Sequence, residues 1–256
     1  MQKYGQHFLI NEQVISQIID ATLILKRENL VEIGPGKGAL TQRLIDRGQK
    51  GLTLIEIDPE MVRYLKQHLP TEATIRIVEQ NFLSFELDSL PLVPTTFISN
   101  LPYIDAAEIL DKVLNWEYFS TAVFMFQKEQ AQRIRAKAGE AFYGPLSIFS
   151  QLRAFINPIC KAGRSCFSPP PKVESAVLSF EVRKEWEVSR QEWLLFVKMV
   201  NSAFLHRRKT FVNSLGLAGY KGESLLAALA EEGLPPSVRP EQISPRQYAR
   251  LFQKIK

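Results

Sequence analysis

The segment Asn100-Leu-Pro-Tyr103 carries more specific chemical content than any other in this chain of 256 residues. Pro102 fixes its own φ and drives Leu101 out of the helical region, so the tetrapeptide is stiff and extended. That geometry aims the Asn100 amide oxygen and the Leu101 carbonyl at one point, with the Tyr103 ring beside it. Two fixed acceptors and an aromatic plate suit a planar ring carrying an exocyclic amine, which donates two hydrogen bonds while its ring stacks. Phe167, followed by Ser168-Pro-Pro-Pro171, offers a second aromatic on a polyproline-like arm. Tyr103 below and Phe167 above would sandwich a flipped-out base.

A second constellation lies upstream. Leu30-Val-Glu-Ile-Gly-Pro-Gly-Lys-Gly38 is a hydrophobic strand that runs into three glycines and then a helix. Bare backbone at the carboxyl end of a first strand is where doubly wound sheets hold nucleotide-like ligands. Glu56 ends the next strand, 22 residues beyond Gly34, and its two coplanar oxygens suit the hydroxyls of a ribose. NAD and S-adenosyl-L-methionine (SAM) both carry such a ribose, so this pair alone leaves both open. The spacing favours SAM, because Ala39 stands where the dinucleotide fingerprint wants its third glycine. Asn81, after the third strand, offers an amide oxygen to an adenine amine edge; the same residue also reads as a turn former.

Together these features describe alkylation of an aromatic amine. The lone pair of such a nitrogen is delocalised into its ring, and carbonyl acceptors on its N–H groups localise it and stabilise the charge that develops as a methyl arrives. Holding the nitrogen in line with a sulfonium methyl supplies most of the rest. The proton becomes acidic after alkylation, so no His/Asp catalytic pair is required.

The elements that position these residues alternate. Strands are expected at Leu30–Gly34, Leu52–Asp58, Thr74–Gln80, Thr95–Asn100, Ala122–Gln127 and Ser175–Val182. Helical periodicity covers Glu12–Leu25, Ala39–Arg47, Pro59–His68 and Ala106–Leu114. The fold class is therefore α/β, a doubly wound, mainly parallel sheet of the Rossmann-like type. After Val182 only helices are evident, at Trp193–Leu205, Lys209–Leu215, Glu223–Glu231 and Pro245–Ile255. Two domains follow, 1–182 around the sheet and 183–256 as a small all-α module.

Composition sets the outer bounds. The chain is 45% hydrophobic and 23% charged, which excludes wholesale disorder and fibrous repeats. No apolar run reaches the ~20 residues of a membrane-spanning helix, and the N-terminal residues lack a secretory pattern, so a cytoplasmic protein is expected. Two cysteines, Cys160 and Cys166, give neither a disulfide framework nor a metal knuckle. Residues 183–256 hold 13 Lys/Arg against 7 Asp/Glu, while the first 182 hold 19 against 20. A neutral body with a basic tail points to a polyanion, nucleic acid foremost.

The motifs in series resemble the small-subunit ribosomal RNA adenine dimethyltransferases, the RsmA/KsgA family. The match runs through Gly5-Gln-His-Phe-Leu9, Val31-Glu-Ile-Gly-Pro-Gly36, Ile55-Glu-Ile-Asp58 and Asn100-Leu-Pro-Tyr103. It continues through Gln127-Lys-Glu129, Tyr143-Gly-Pro-Leu-Ser147, Phe167 to Ala176 and Arg207-Arg-Lys-Thr210. The resemblance implies dimethylation of N6 on two adjacent adenines near the 3′ end of 16S rRNA, within a nearly assembled small ribosomal subunit. It implies SAM contacts from His7, Leu9, Gly34, Glu56, Asn81 and Asn100, and adenine contacts from Asn100, Leu101, Tyr103 and Phe167. A monomer with no membrane partner is expected.

Phosphates would meet Arg133, Arg135 and Lys137 and also Arg207, Arg208 and Lys209, with a further stripe at Arg246, Arg250 and Lys254. Three departures stand out. Ile104-Asp105-Ala106 replaces the usual Asn-Ile-Ser/Thr, with Asp105 as a possible helix cap. Asn81 stands where aspartate is common, and His7 where Asn is frequent. The competing readings are a 23S rRNA adenine methyltransferase, a non-catalytic assembly factor and an NAD oxidoreductase. Leu101 and the three-proline arm argue against the first, the intact Glu56, Asn100 and Tyr103 against the second, and glycine spacing against the third.

Overall fold

The computed structural model describes residues 7–70, 74–206 and 208–256. The chain opens with β1 (Phe8–Leu9), α1 (Glu12–Leu25), β2 (Asn29–Ile33), α2 (Ala39–Asp46), β3 (Leu52–Glu56), α3 (Pro59–His68) and β4 (Ile75–Glu79). It continues with β5 (Thr95–Asn100), α4 (Ala106–Asn115), β6 (Phe119–Gln127), α5 (Lys128–Arg135) and α6 (Pro145–Arg153). Then come β7 (Ala154–Ala162), β8 (Phe167–Ser168) and β9 (Ser175–Val182), followed by α7 (Trp193–Phe204), α8 (Phe211–Leu217), α9 (Gly222–Glu231) and α10 (Pro245–Ile255).

Seven strands form one sheet in the order β4-β3-β2-β5-β6-β9-β7. β4, β3, β2, β5 and β6 pair in parallel, and β9 runs antiparallel to β6. The mainly parallel, doubly wound α/β sheet and the helical C-terminal part are those expected from the alternating pattern. From β2 the chain builds outward to β3 and β4, then returns to place β5 on the other side. The gap at the carboxyl ends of β2 and β5 is thus the switch point where such sheets hold ligands. Ser99 ties these two ends together by donating its hydroxyl to the Ile33 carbonyl at 2.5 Å.

Helix α1 covers the sheet with Val14, Ile15, Ile18 and Ile19, all buried, the face its periodicity predicts. Its start is set by Asn11, whose side chain accepts from the Val14 N–H at 2.9 Å. The pattern did not disclose β1, β7, β8, α5 or α6. β7 contains Pro158, which cannot donate to a ladder and is tolerated because β7 lies at the sheet edge. Helix α8 begins at Phe211, two residues later than predicted, because the Thr210 side chain caps the Asn213 N–H.

Contacts divide the chain into Met1–Ala131 with Phe155–Val182, and Gln132–Ala154 with Arg183–Lys256. Residues 132–154, which the alternating pattern assigns to the sheet domain, thus belong to the second unit. The reason is packing: Tyr143, Ile148 and Leu152 enter its core beside Phe196, Phe211 and Phe252. With that segment included, the second unit carries 17 Lys/Arg against 8 Asp/Glu, a net of +9, which leaves −4 for the first.

Arg153 organises one side of the second unit. It is 1% exposed, its guanidinium lies 3.7 Å from the ring centroids of both Trp186 and Trp193, and it donates to the Val188 carbonyl at 3.0 Å. A desolvated cation between two indoles is stabilising at each face. Arg153→Ala is expected to cost about 3 kcal/mol by removing both stacks and orphaning that carbonyl. Urea unfolding followed by tryptophan fluorescence would reveal it, and an unshifted midpoint would show the stack to be dispensable.

Candidate active site

The turn after β2 is built from glycine for a steric reason. Gly34 and Gly36 sit at φ of 62° and 56°, in the left-handed region. A Cβ on Gly36 would lie 3.1 Å from the Phe8 ring. Backbone alone therefore fits between β2 and the N-terminal strand. The Gly34 N–H donates to Ile55 at 2.9 Å, which locks the turn against β3.

A cavity of about 230 Å³ opens beside this turn, bounded by residues 7–10, Glu32, the glycine turn, Glu56 and residues 100–103. All of its walls belong to the first unit. Glu56, 2% exposed, accepts the Gly36 N–H at Oε2 and the Asp58 N–H at Oε1, each at 2.9 Å. The Ile57 N–H is a third backbone donor to this carboxyl, and what acceptor capacity remains faces the cavity. Burial pushes its carboxyl above the ordinary range, and the backbone N–H donors pull against that shift.

Glu32 shares the cavity and was not among the residues singled out from sequence. Its Oε2 accepts the Thr41 hydroxyl at 2.6 Å. Burial pushes its carboxyl up to about 7, with the Thr41 hydroxyl opposing and the Glu56 charge adding to the rise. The available signal was an acid set among Leu30, Val31 and Ile33 in a central strand, where an ionisable side chain is costly unless it has a task.

Asn100 ends β5 and donates from Nδ2 to the His7 carbonyl at 3.0 Å. A carbonyl accepts only from the amide nitrogen, so the orientation of this side chain is fixed and Oδ1 is the atom left for a ligand. Leu101 follows, 2% exposed. The Tyr103 ring lies 6.0 Å from that of His7, and its hydroxyl shares a 2.7 Å hydrogen bond with Ser175 on β9. Burial pushes the Tyr103 phenol up, and the Ser175 bond counters it. His7 Nδ1 is 2.8 Å from the Pro169 carbonyl.

The structure thus brings His7, Leu9, Gly34, Glu56, Asn100, Leu101 and Tyr103 to one cavity. It does not bring Phe167 or Asn81 there. Phe167 pairs with Leu9 through the antiparallel β1–β8 ladder and is 2% exposed in the core, so it backs the cavity wall instead of facing Tyr103 across a gap. Asn81 is exposed, and its Oδ1 accepts the Leu83 N–H at 2.9 Å, so its side chain forms the turn. Asp105 holds the N-cap position of α4 without a side-chain cap bond.

Among the basic residues, Arg133, Arg135, Lys137, Arg208 and Lys209 are exposed on the second unit; Arg207 lies outside the described residues. The stripe on α10 is engaged elsewhere: Arg246 pairs with Glu187 at 3.0 Å, Arg250 with Glu232 at 3.6 Å, and Lys254 with Glu231 at 2.5 Å.

A doubly wound sheet with a glycine turn at its switch point and an acid ending the next parallel strand defines a Rossmann-like fold that holds a ribose-bearing cofactor, and the comparisons with known proteins make it a SAM-dependent methyltransferase. The chain matches the ribosomal RNA adenine dimethylase family over residues 1–256 and belongs to it. It is 39% identical to the ribosomal RNA small subunit methyltransferase A of Bdellovibrio bacteriovorus, over 97% of this chain and 90% of that protein. Among solved structures it is similar to a dimethyladenosine transferase from Plasmodium falciparum, with a TM-score of 0.80 at 23% identity over 96% of each chain. It is also similar to the 23S rRNA methyltransferase ErmE, with a TM-score of 0.73 at 27% identity over 97% of this chain and 99% of that one.

The raised Glu32 carboxyl has a measurable consequence. A folded-state value near 7 against an ordinary 4.5 means that the folded protein holds this proton more tightly than the unfolded chain does. Stability is then lost as pH rises from about 4.5 to about 7, by on the order of 3 kcal/mol. Glu32→Gln keeps an acceptor for Thr41 and is expected to abolish that part of the slope. Denaturation of both proteins between pH 4.5 and 8 tests this, and parallel curves would remove Glu32 as its source.

Proposed function

We propose that this chain transfers methyl groups from SAM to N6 of two adjacent adenines near the 3′ end of 16S rRNA, on the small ribosomal subunit. The observation that carries the chemistry is the Asn100 Nδ2–His7 hydrogen bond, which presents Oδ1 to a ligand amine at the end of β5. The choice of the small subunit over 23S rRNA is supported by 39% identity to a small subunit methyltransferase A against 27% to ErmE.

The residues present fit SAM. Glu56 keeps acceptor capacity beyond its three backbone donors for a ribose hydroxyl, the glycine turn offers bare backbone, and the buried carboxyl of Glu32 suits a cationic ligand. Bound there, SAM supplies an electrophilic methyl on a sulfonium. His7, Leu9 and Gly34 line the same pocket.

The chain's own groups do the rest. Asn100 Oδ1 and the Leu101 carbonyl accept the two N–H groups of the adenine amine and stabilise the positive charge that builds on it. Tyr103 provides the stacking face, steadied by Ser175. Phe167 acts by holding Leu9 against the cavity. Asn81, already bonded to its own turn, offers the adenine edge only its remaining amide protons and second lone pair. Arg133, Arg135, Lys137, Arg207, Arg208 and Lys209 hold phosphates, consistent with the +9 charge of their unit. We take the working form to be a cytoplasmic monomer.

Labelled methyl from SAM is expected to appear on undermethylated small subunits, and label confined to 23S rRNA would sink the assignment. Asn100→Ala is expected to lower the single-turnover rate by roughly 100-fold or more, as for loss of a transition-state acceptor, with little change in SAM affinity. An unchanged rate would take Asn100 out of the chemistry. Glu56→Ala should instead weaken SAM binding by roughly 10-fold or more, the loss of a charge-assisted hydrogen bond. Calorimetry would detect this, and an unaltered affinity excludes the ribose contact.

A further inference from the structure

We propose that Ile104 is an apolar wedge that enters the RNA base stack as the target adenine leaves it. The inference rests on the reading of the cavity as an adenine site and adds a residue that is not part of it.

Ile104 is 92% exposed, the highest value for a large apolar side chain among the described residues. Its position is tightly defined. The Asp105 N–H donates to the Pro102 carbonyl at 3.2 Å, closing a turn whose two central residues are Tyr103 and Ile104. Both ends of the turn are anchored, by Leu101 at 2% exposure on one side and Ala106 at 0% on the other. Tyr103 is drawn to the cavity and fastened by the 2.7 Å bond to Ser175. Its neighbour is thereby held out in solvent at the rim of the same site.

Nothing in the fold requires an isoleucine there, since an outward side chain packs no core. RNA supplies a use for it. Extracting a base leaves a gap between its former neighbours, and proteins that open a stack commonly fill such a gap with an Ile, Leu, Met or Phe side chain. A base swung out to Tyr103 leaves its vacancy on the RNA side of the pocket mouth, the side on which the exposed Ile104 stands. A β-branched side chain with few rotamers loses little freedom on insertion.

The test is single-turnover methyl transfer to undermethylated small subunits at saturating SAM, with wild type, Ile104→Ala and Ile104→Leu. Filter binding of each protein to the same particles and calorimetry with SAM run alongside. The wedge predicts a roughly 10-fold slower transfer for Ile104→Ala, the contact being made only once the base is out. Particle and SAM affinities should stay within about 2-fold, and Ile104→Leu should keep at least about half the rate because apolar volume is conserved. Equal rates for Ile104→Ala and wild type overturn the proposal. So does a leucine variant as slow as the alanine one, or particle affinity that falls in step with the rate, which would make Ile104 a docking contact. Absence of transfer by the wild type would instead overturn the adenine reading beneath it.

Discussion

Two carboxylates, Glu32 and Glu56, are buried along one cavity wall, and among the described residues neither has a lysine or arginine ion-paired to it. Removing an ionised carboxyl from water is expensive, and hydrogen bonds offset only part of that cost. Here Thr41 and the backbone of Gly36, Ile57 and Asp58 supply those bonds. The rest of the strain appears as carboxyls displaced upward. A cationic ligand with ribose hydroxyls would relieve both groups, so the wall is chemically suited to SAM.

That arrangement dictates much of what surrounds it. The two acids stay close only while β2 and β3 keep their parallel register, with Glu32 opposite Leu54 and Ile33 opposite Ile55. The ladder continues to β5 and carries Asn100 to the same end of the sheet. From there the Asn100 hydrogen bond to His7 ties the reacting corner to the residue that precedes β1, and β8 holds β1 in place through Phe167. The cofactor wall and the acceptor corner are therefore not separable modules.

Much of this was legible in the sequence because it depends on local chemistry. Glycines at a strand exit, an acid at the end of the next strand and a proline-stiffened Asn100–Tyr103 segment each impose their geometry wherever they occur. The family membership and the α/β fold followed from the order of such signals. What escaped depends on distant partners. The burial of Phe167 is decided by pairing with Leu9 across 158 residues of chain, which no periodicity encodes. Asn81 reads in sequence as a turn former as much as a ligand contact, and its bond to the Leu83 N–H shows the first of these. Glu32 is visible as an acid in an apolar strand, but its task depends on Glu56 and Thr41, which only the folded sheet brings beside it. The evenly spaced cations of α10 resembled a phosphate stripe, yet acids from elsewhere in the chain meet each of them.

The interleaved division of the chain has a bearing on biosynthesis. Residues 132–154 leave the ribosome long before Trp193, Phe196 and Phe252, the rings that cover them. Meanwhile β9, the neighbour of β6 in the sheet, is made only after β7 and β8. The catalytic unit can close once residue 182 has emerged, whereas Tyr143, Ile148 and Leu152 wait unprotected until the last helix arrives. A nascent chain stalled just past the sheet would thus display a sticky hairpin-sized segment, and engineers wishing to exchange the basic module between relatives would need two junctions, not one.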